Sequence, residues 1–236
     1  MKEKNRREVM EMIKKRLPDK AEIILLSLTG SRAFGWAAEN QDYDVHGIFS
    51  YEGYWDWVHL GKDGYDINLY ELTHTLFDIK YQHLTIFMNF SNPFFLHPKF
   101  DYKGWIGFCG LQSVKRKAGD MTNQIERFHH DKSPRTALHA YRIPMVALHF
   151  VETGNMERDI FKINEKYGFT QLTKLKQAYN RKGGAFDVEQ VNKDLDYLQN
   201  LFNEKIAYFK EEEVNMEKAD EWFNRMLKTF GYANIK

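Results

Sequence analysis

The apolar run Ile23-Ile24-Leu25-Leu26-Ser27-Leu28-Thr29, cut off at Gly30, constrains this chain most. A stretch that short and apolar, ended by glycine, predicts a buried strand closing in a tight turn. The residues that follow, Gly30-Ser31-Arg32-Ala33-Phe34-Gly35, suit a turn into a short helix. At such a junction the first backbone N–H groups of the helix lack intrahelical partners, and together with the positive end of the helix dipole they favour an anion. Gly30 lets the backbone approach closely and the Ser31 hydroxyl adds a donor. The competing reading is an ordinary strand-to-helix turn, so the motif needs support from elsewhere in the chain.

That support comes from acids downstream. Asp42-Tyr43-Asp44-Val45-His46-Gly47-Ile48-Phe49 reads as a second strand, in which residues two apart share a face about 6.6 Å apart along the chain. Asp42 and Asp44 therefore face the same way. Two uncompensated carboxylates on one face repel, and a divalent cation relieves them; Mg²⁺ takes one or two carboxylates plus substrate phosphates. Lys62-Asp63-Gly64 predicts a hairpin turn, and Tyr65-Asp66-Ile67-Asn68-Leu69-Tyr70-Glu71-Leu72 alternates as a strand does. Its polar face carries Asp66, Asn68 and Tyr70, and Glu71 falls with Ile67 and Leu69 on the apolar one. Asp66 is thus the better third carboxylate, against the alternative of a surface acid flanking a hairpin.

The combination Gly-Ser-x-Ala-x-Gly, Asp-x-Asp and a third Asp on a later strand resembles the nucleotidyltransferases of the DNA polymerase β superfamily. More narrowly, Gly30 to Gly35 with Asp42-Tyr43-Asp44-Val45-His46-Gly47 is similar to the predicted nucleotidyltransferases called RlaP, the RNA-ligase-associated proteins. Asp66-Ile67-Asn68-Leu69-Tyr70-Glu71-Leu72 resembles the third-Asp strand of that family, and His139-Ala140-Tyr141-Arg142 with Thr153-Gly154 resembles its helical half. Three positions differ from the family pattern. Gln41 stands where a small Ser precedes the first Asp, and His46 replaces an Arg. The third, Leu84-Thr85-Ile86-Phe87-Met88-Asn89, lacks an acidic residue.

The resemblance implies an α+β fold, with a small mixed-sheet core and a mostly helical C-terminal domain; Pro93 and Pro98 punctuate the chain where the pattern changes, which divides it into 1–98 and 99–236. It implies transfer of an NMP from an NTP, ATP being the expected donor, to a hydroxyl with release of pyrophosphate. The Gly30-Ser31 turn would hold the β- and γ-phosphates, with Arg32, His139 and Arg142 as further nucleotide contacts. Asp42 and Asp44 would bind Mg²⁺, for which Mn²⁺ can substitute. Asp66 would serve a second metal and help deprotonate the acceptor. Association of the family with RNA ligase makes an RNA end one expected acceptor; a small-molecule or protein hydroxyl would use the same triad.

Composition agrees with an enzyme of this size. The 236 residues are 43% hydrophobic and 15% aromatic, ample for a sizeable core in one or two domains. A net charge of +1 gives no evidence for a strong electrostatic footprint on nucleic acid and leaves room for a local basic patch. The single cysteine, Cys109, excludes an intrachain disulfide and suits a reducing compartment, hence a cytoplasmic expectation. The N-terminus runs into an amphipathic helix with Val9, Met10, Ile13 and Leu17 at helical spacing, not into a signal core, and no apolar stretch is long enough to span a bilayer.

In the helical half, Leu138, Tyr141, Met145 and Leu148 predict a core stripe in a helix that Pro144 should kink. Further helices are expected at about 189–210, with Val191, Leu195, Leu198, Phe202 and Ile206 inward, and at about 215–229 on Met216, Ala219, Trp222, Phe223 and Met226. Each polar candidate there has a bland rival. Arg32 is either a solvated charge or an anion contact, and His139 and Arg142 either brace the helices or touch phosphate or base. Lys115-Arg116-Lys117 reads as a solvated face, and His129-His130-Asp131 as exposed and weakly specific for metal. Tyr43 or Trp36 could stack on a base. The alternatives to an enzyme are a catalytically silent nucleotide- or RNA-binding module that keeps the fold, and a helical interaction protein with an accidental motif.

Overall fold

The computed structural model describes residues 1–52, 57–62, 64–75, 88–105, 118–181, 183–207 and 216–232, and it is a mixed α+β protein built around a five-stranded mixed sheet. Two units divide the chain: Met1–Arg32, Asn40–Cys109 and Glu213–Lys236 form one, and Ala33–Glu39 with Gly110–Glu212 the other. The C-terminal helix falls in the sheet unit and Ala33–Glu39 in the helical one. Cys109, Lys115-Arg116-Lys117 and residues 84–87 lie outside the described residues, as does Asp63 of the hairpin.

In the sheet unit, α1 (Glu3–Lys14) precedes β1 (Glu22–Leu28), the one-turn α2 (Gly30–Ala33), β2 (Tyr43–Ser50), β3 (Trp57–Lys62), β4 (Tyr65–Glu71) and the two-residue β5 (Phe95–Leu96). The order across the sheet is β3-β4-β2-β1-β5, with β2 and β4 parallel and every other pair antiparallel. Alternation decides the faces. Ile67, Leu69 and Glu71 of β4 are buried, whereas Asp66, Asn68 and Tyr70 are half-buried on the opposite side. Ile67 and Leu69 join Val45 and Phe49 of β2, Leu26 and Val58, and onto this face α1 lays Val9 and Ile13, both fully buried. Each such side chain contributes about 1.5–3 kcal/mol by leaving water. With one face sealed by α1, the register of β4 against β2 is locked, because a one-residue slip would exchange the two faces.

Glu71 is the exception on the apolar face, being 3% exposed yet ionisable. Its carboxylate accepts from the Thr73 backbone N–H at 2.7 Å, from the Thr73 hydroxyl and from the Tyr232 hydroxyl. Tyr232 in turn accepts from the Tyr51 N–H at 2.9 Å, so the segment after the last helix is tied to β4 and to the end of β2. That helix, α8 (Met216–Thr229), packs Trp222 edge-on against Phe100 at 5.7 Å. It also donates the Trp222 indole N–H to the Asp101 carbonyl at 3.0 Å, and Arg225 pairs with the Asp101 carboxylate.

The helical unit comprises α3 (Ala118–Asp131), α4 (Pro134–Thr153), α5 (Ile160–Tyr167), α6 (Gln171–Arg181) and α7 (Val188–Ala207), with α8 (Met216–Thr229) belonging to the sheet unit. Helix α4 starts at a Ser133 cap accepting from the Thr136 N–H at 3.2 Å, with Pro134 at its first position, and ends at Gly154 in the left-handed conformation. It runs as one helix through Pro144. Leu138, Tyr141, Met145 and Leu148 are fully buried, but so are residues on its other sides, because α3, α5, α6 and α7 all pack against it. Val191, Leu195, Leu198 and Phe202 line α7 as their spacing predicts; the side chains of Ile206 and Met216 lie outside those described. Inside this unit Tyr141 donates to Asp194 at 2.5 Å and Gln190 supplies a second donor at 2.8 Å, so the buried carboxylate is satisfied.

Replacing Tyr232 by Phe removes a donor from buried Glu71 and an acceptor from Tyr51. Urea unfolding should show a loss of about 1–3 kcal/mol, the cost of leaving a buried polar group short of a partner. An unchanged midpoint would mean that the C-terminal tie carries no stability.

Candidate active site

Cross-strand register builds this site. In the parallel β2–β4 pair Asp44 lies opposite Asp66, His46 opposite Asn68 and Ile48 opposite Tyr70. In the antiparallel β3–β4 pair Gly61 lies opposite Asp66, His59 opposite Asn68 and Trp57 opposite Tyr70. Directly paired residues share a face, so the face away from α1 carries three rows. The first is Asp44–Asp66–Gly61, the second His46–Asn68–His59, and the third Ile48–Tyr70–Trp57. Asp42 stands exposed just before β2 begins. Asp44 thus has Asp66 beside it on the neighbouring strand, with Asp42 two residues ahead in the chain.

Charge is poorly compensated there. The Asp44 carboxyl is raised to about 6, first because it is half-buried, then because Asp66 and Asp42 repel its ionised form, with Arg32 partly opposing. His46, half-buried beside the rings of Tyr70 at 5.7 Å and Phe90 at 6.4 Å, is lowered by burial against a raising influence from Asp66. Asp66 is held from the side: Oδ1 accepts from His59 Nε2 at 3.0 Å and from Asn68 Nδ2 at 3.1 Å. Among the described residues no three His, Cys, Asp or Glu side chains converge closely enough to hold a metal ion on their own. The donor set that fits a cation is the pair Asp42 and Asp44, whose repulsion it would relieve and whose remaining coordination substrate phosphates and water would supply.

Gly30 presses on this centre. Its φ is +62°, and a β-carbon on it would overlap the Asp44 carboxylate and come within 2.9 Å of Asp44 Cβ, so both conformation and space require glycine. Backbone and carboxylate are therefore adjacent, with β1 closed onto β2 by the Thr29 N–H to the Asp44 carbonyl at 2.7 Å. Helix α2 is a single turn, so its dipole is small, and the turn's own N–H groups are what it can offer an anion.

The other predicted contacts are already engaged. The Ser31 hydroxyl donates to Gln41 Oε1 at 2.9 Å. Arg32 donates to the backbone carbonyls of Gln41 at 3.0 Å and Asp42 at 3.2 Å and lies 4.1 Å from the Tyr43 ring centroid, so it braces the loop that delivers Asp42. Gln41, one of the departures from the family pattern, thus anchors that loop from both Ser31 and Arg32.

His139 and Arg142 belong to the helical unit and meet the rest of the glycine motif there. Arg142 sits 4.4 Å over the Phe34 ring and His139 packs edge-on to Trp36 at 5.5 Å. Burial first, and then Arg142, Arg135 and Arg127, lower His139 to about 4, so it is uncharged at neutral pH. Trp36, 2% exposed and stacked on Phe34, has no face open to a base. Tyr43 likewise has Arg32 over its ring and Tyr65 stacked at 5.6 Å. Gly35 serves packing as well: at φ +89° its absent side chain makes room for Asp159, which caps α5, and its carbonyl accepts from Lys176 at 2.6 Å.

His129, His130 and Asp131 are exposed at the end of α3. His59 and Trp57, by contrast, were not among the candidate residues although their strand flanks Asp66. The polar–apolar alternation Trp57-Val58-His59-Leu60 ahead of the hairpin is the signal that marks them. Among the described residues no helix is long and apolar enough to cross a membrane. No protein-family model matches this chain, and no curated protein matches it either.

Two outcomes follow from this geometry. In metal-free buffer Asp44→Asn should raise the stability of the protein at pH 7.5 by about 1 kcal/mol, a figure kept small because the carboxyl is still partly solvated. A carboxyl raised in the folded state costs stability above about pH 6 and nothing once both states are protonated. The gain over wild type should therefore shrink as pH falls through 6 towards 4, and thermal melts of the two proteins across that range measure it. Gly30→Ala should lower the melting temperature and displace Asp44, whereas Gly64→Ala, with nothing within 4 Å of its β-carbon, should cost only the strain of its φ of +81°.

Proposed function

We propose that this chain is a metal-dependent nucleotidyltransferase with a polymerase-β-type core, moving an NMP from an NTP to a hydroxyl acceptor. The observation that carries this reading is the register of Asp44 opposite Asp66 with Asp42 two residues earlier and the Gly30 turn against Asp44. A half-buried Asp44 that is repelled by both Asp42 and Asp66, with a glycine turn pressed against it, has little purpose in a protein that merely packs.

In this reading Asp42 and Asp44 would hold Mg²⁺, which when bound would supply charge neutralisation for the triphosphate. The Gly30-Ser31 backbone orients the β- and γ-phosphates, and Ser31 exchanges its bond to Gln41 for one to phosphate. Asp66 has Oδ1 fixed by His59 and Asn68, which presents Oδ2 to the acceptor and receives its proton. The acceptor oxygen then bonds to the α-phosphorus, the bond from that phosphorus to the bridging oxygen breaks, and pyrophosphate leaves with the electron pair. Catalysis of this kind is positioning and electrostatics.

Incubation with α-labelled ATP and Mg²⁺, separately with RNA, with protein extract and with small metabolites, tests the proposal. Label should move into one acceptor class, and Asp42→Ala or Asp44→Ala should lower the rate by at least about 100-fold, the scale for losing a group that neutralises developing charge. Nucleotide bound equally with and without Mg²⁺, and no label transferred in any mixture, would favour a silent binding module instead.

A further inference from the structure

Trp57 is 53% exposed although tryptophan is ordinarily among the most covered side chains. It lies on the edge strand β3, on the face that carries the acids, in the third row opposite Tyr70. One side of its indole is backed by the His59 imidazole, nearly parallel at 12° and 5.7 Å between centroids. His59 is itself fixed by its 3.0 Å bond to Asp66. The stack is thus a preordered flat surface hinged to the third carboxylate. Between it and Asp66 the first row ends in Gly61, whose missing side chain leaves only the His59 ring, 3.7 Å from a β-carbon built there.

Position assigns the occupant. Asp44 has the Gly30 turn on its β1 side and Asp66 on its β4 side. A triphosphate held by that turn puts the leaving pyrophosphate towards β1, and in-line attack then brings the acceptor from the β4–β3 side, across bare Gly61. Rows two residues apart are about 6.6 Å apart along the strands, so the indole, two rows from Asp66, lies about 13 Å along the strands from it, within reach of a base near the acceptor's end. A flat, half-exposed indole backed by an imidazole suits the π-face of any base.

We infer that Trp57, stacked on His59, is the platform for a base of the acceptor, which is the end of a single-stranded nucleic acid. This rests on the transferase reading for its direction, and it names the acceptor class that reading leaves open. Because stacking ignores base identity, it recognises single strands without sequence preference.

The test uses the full chain and a fluorescently labelled eight-nucleotide single-stranded oligoribonucleotide, followed by anisotropy without NTP or Mg²⁺. Trp57→Ala should weaken binding by about 5- to 100-fold, the span of one lost base–aromatic stack, and Trp57→Phe should recover most of it. The same oligonucleotide made abasic at its two terminal positions should bind wild type and Trp57→Ala alike. Thermal melts of both variants, expected to match wild type because the ring is half in solvent, guard against misfolding. Equal affinity of wild type and Trp57→Ala for the intact oligonucleotide would overturn the inference, as would an undiminished Trp57 effect on the abasic one. Asp44→Asn assayed beside them separates the two readings. Label transfer that needs Asp44 while binding ignores Trp57 sinks the platform alone; Trp57-dependent binding with Asp44-independent transfer sinks the transferase alone.

Discussion

Everything at this site depends on the parallel pairing of β2 with β4 in a register that sets Asp44 beside Asp66. The pairing is not held by the acids, which repel; Asp44 titrates high because of burial and of its two acidic neighbours. It is held from the other face. Val45, Ile67, Leu69 and Phe49 are clamped beneath Val9 and Ile13 of α1, and a slip by one residue would drive this apolar set into solvent. The hydrophobic core therefore stabilises the fold against the strain of gathering like charges, and the site holds stored repulsion that a cation can release. Active sites commonly carry such local cost, offset elsewhere in the fold.

Much of this was legible in sequence because period-2 alternation assigns faces without tertiary knowledge. Asp66-Ile67-Asn68-Leu69-Tyr70-Glu71 could be sorted into polar and apolar sides by inspection, and the sorting extended even to Glu71, whose burial would otherwise look improbable. The helices at 188–207 and 216–229 followed equally from 3.6-residue spacing. Partnership was harder to read. Nothing local in Phe95-Leu96 announces that it pairs with Leu25 and Leu26 of β1, and nothing in residues 216–232 says that they return to Asp101 and Glu71. Those are contacts between distant segments, chosen by shape.

The candidate side chains show the same limit. Gly30 could be assigned because a turn demands it, and its contact with Asp44 is a consequence of that turn. Arg32, His139 and Arg142 could be noticed only as charges near a motif. In the structure Arg32 holds the Gln41–Asp42 carbonyls, and Arg142 and His139 hold Phe34 and Trp36, so each has a bracing partner within its own unit. The glycine motif is accordingly shared out, with Gly30 facing the acids and Gly35 making room for the cap of α5. Trp57 shows the opposite limit: an aromatic in a strand ordinarily belongs to a core, so the alternation of its strand marks the face it lies on, and its 53% exposure belongs to the structure alone.

The proposed nucleotide-and-metal site consists of Asp42, Asp44 and the Gly30 turn. A crystal soaked with a non-hydrolysable NTP and Mg²⁺ addresses it most directly. The expected result is an ion coordinated by Asp42, Asp44 and phosphate oxygens, with the β- and γ-phosphates on the Gly30-Ser31 backbone and the Ser31–Gln41 bond released. A nucleotide bound away from these acids, or bound there with no ion between Asp42 and Asp44, would contradict it.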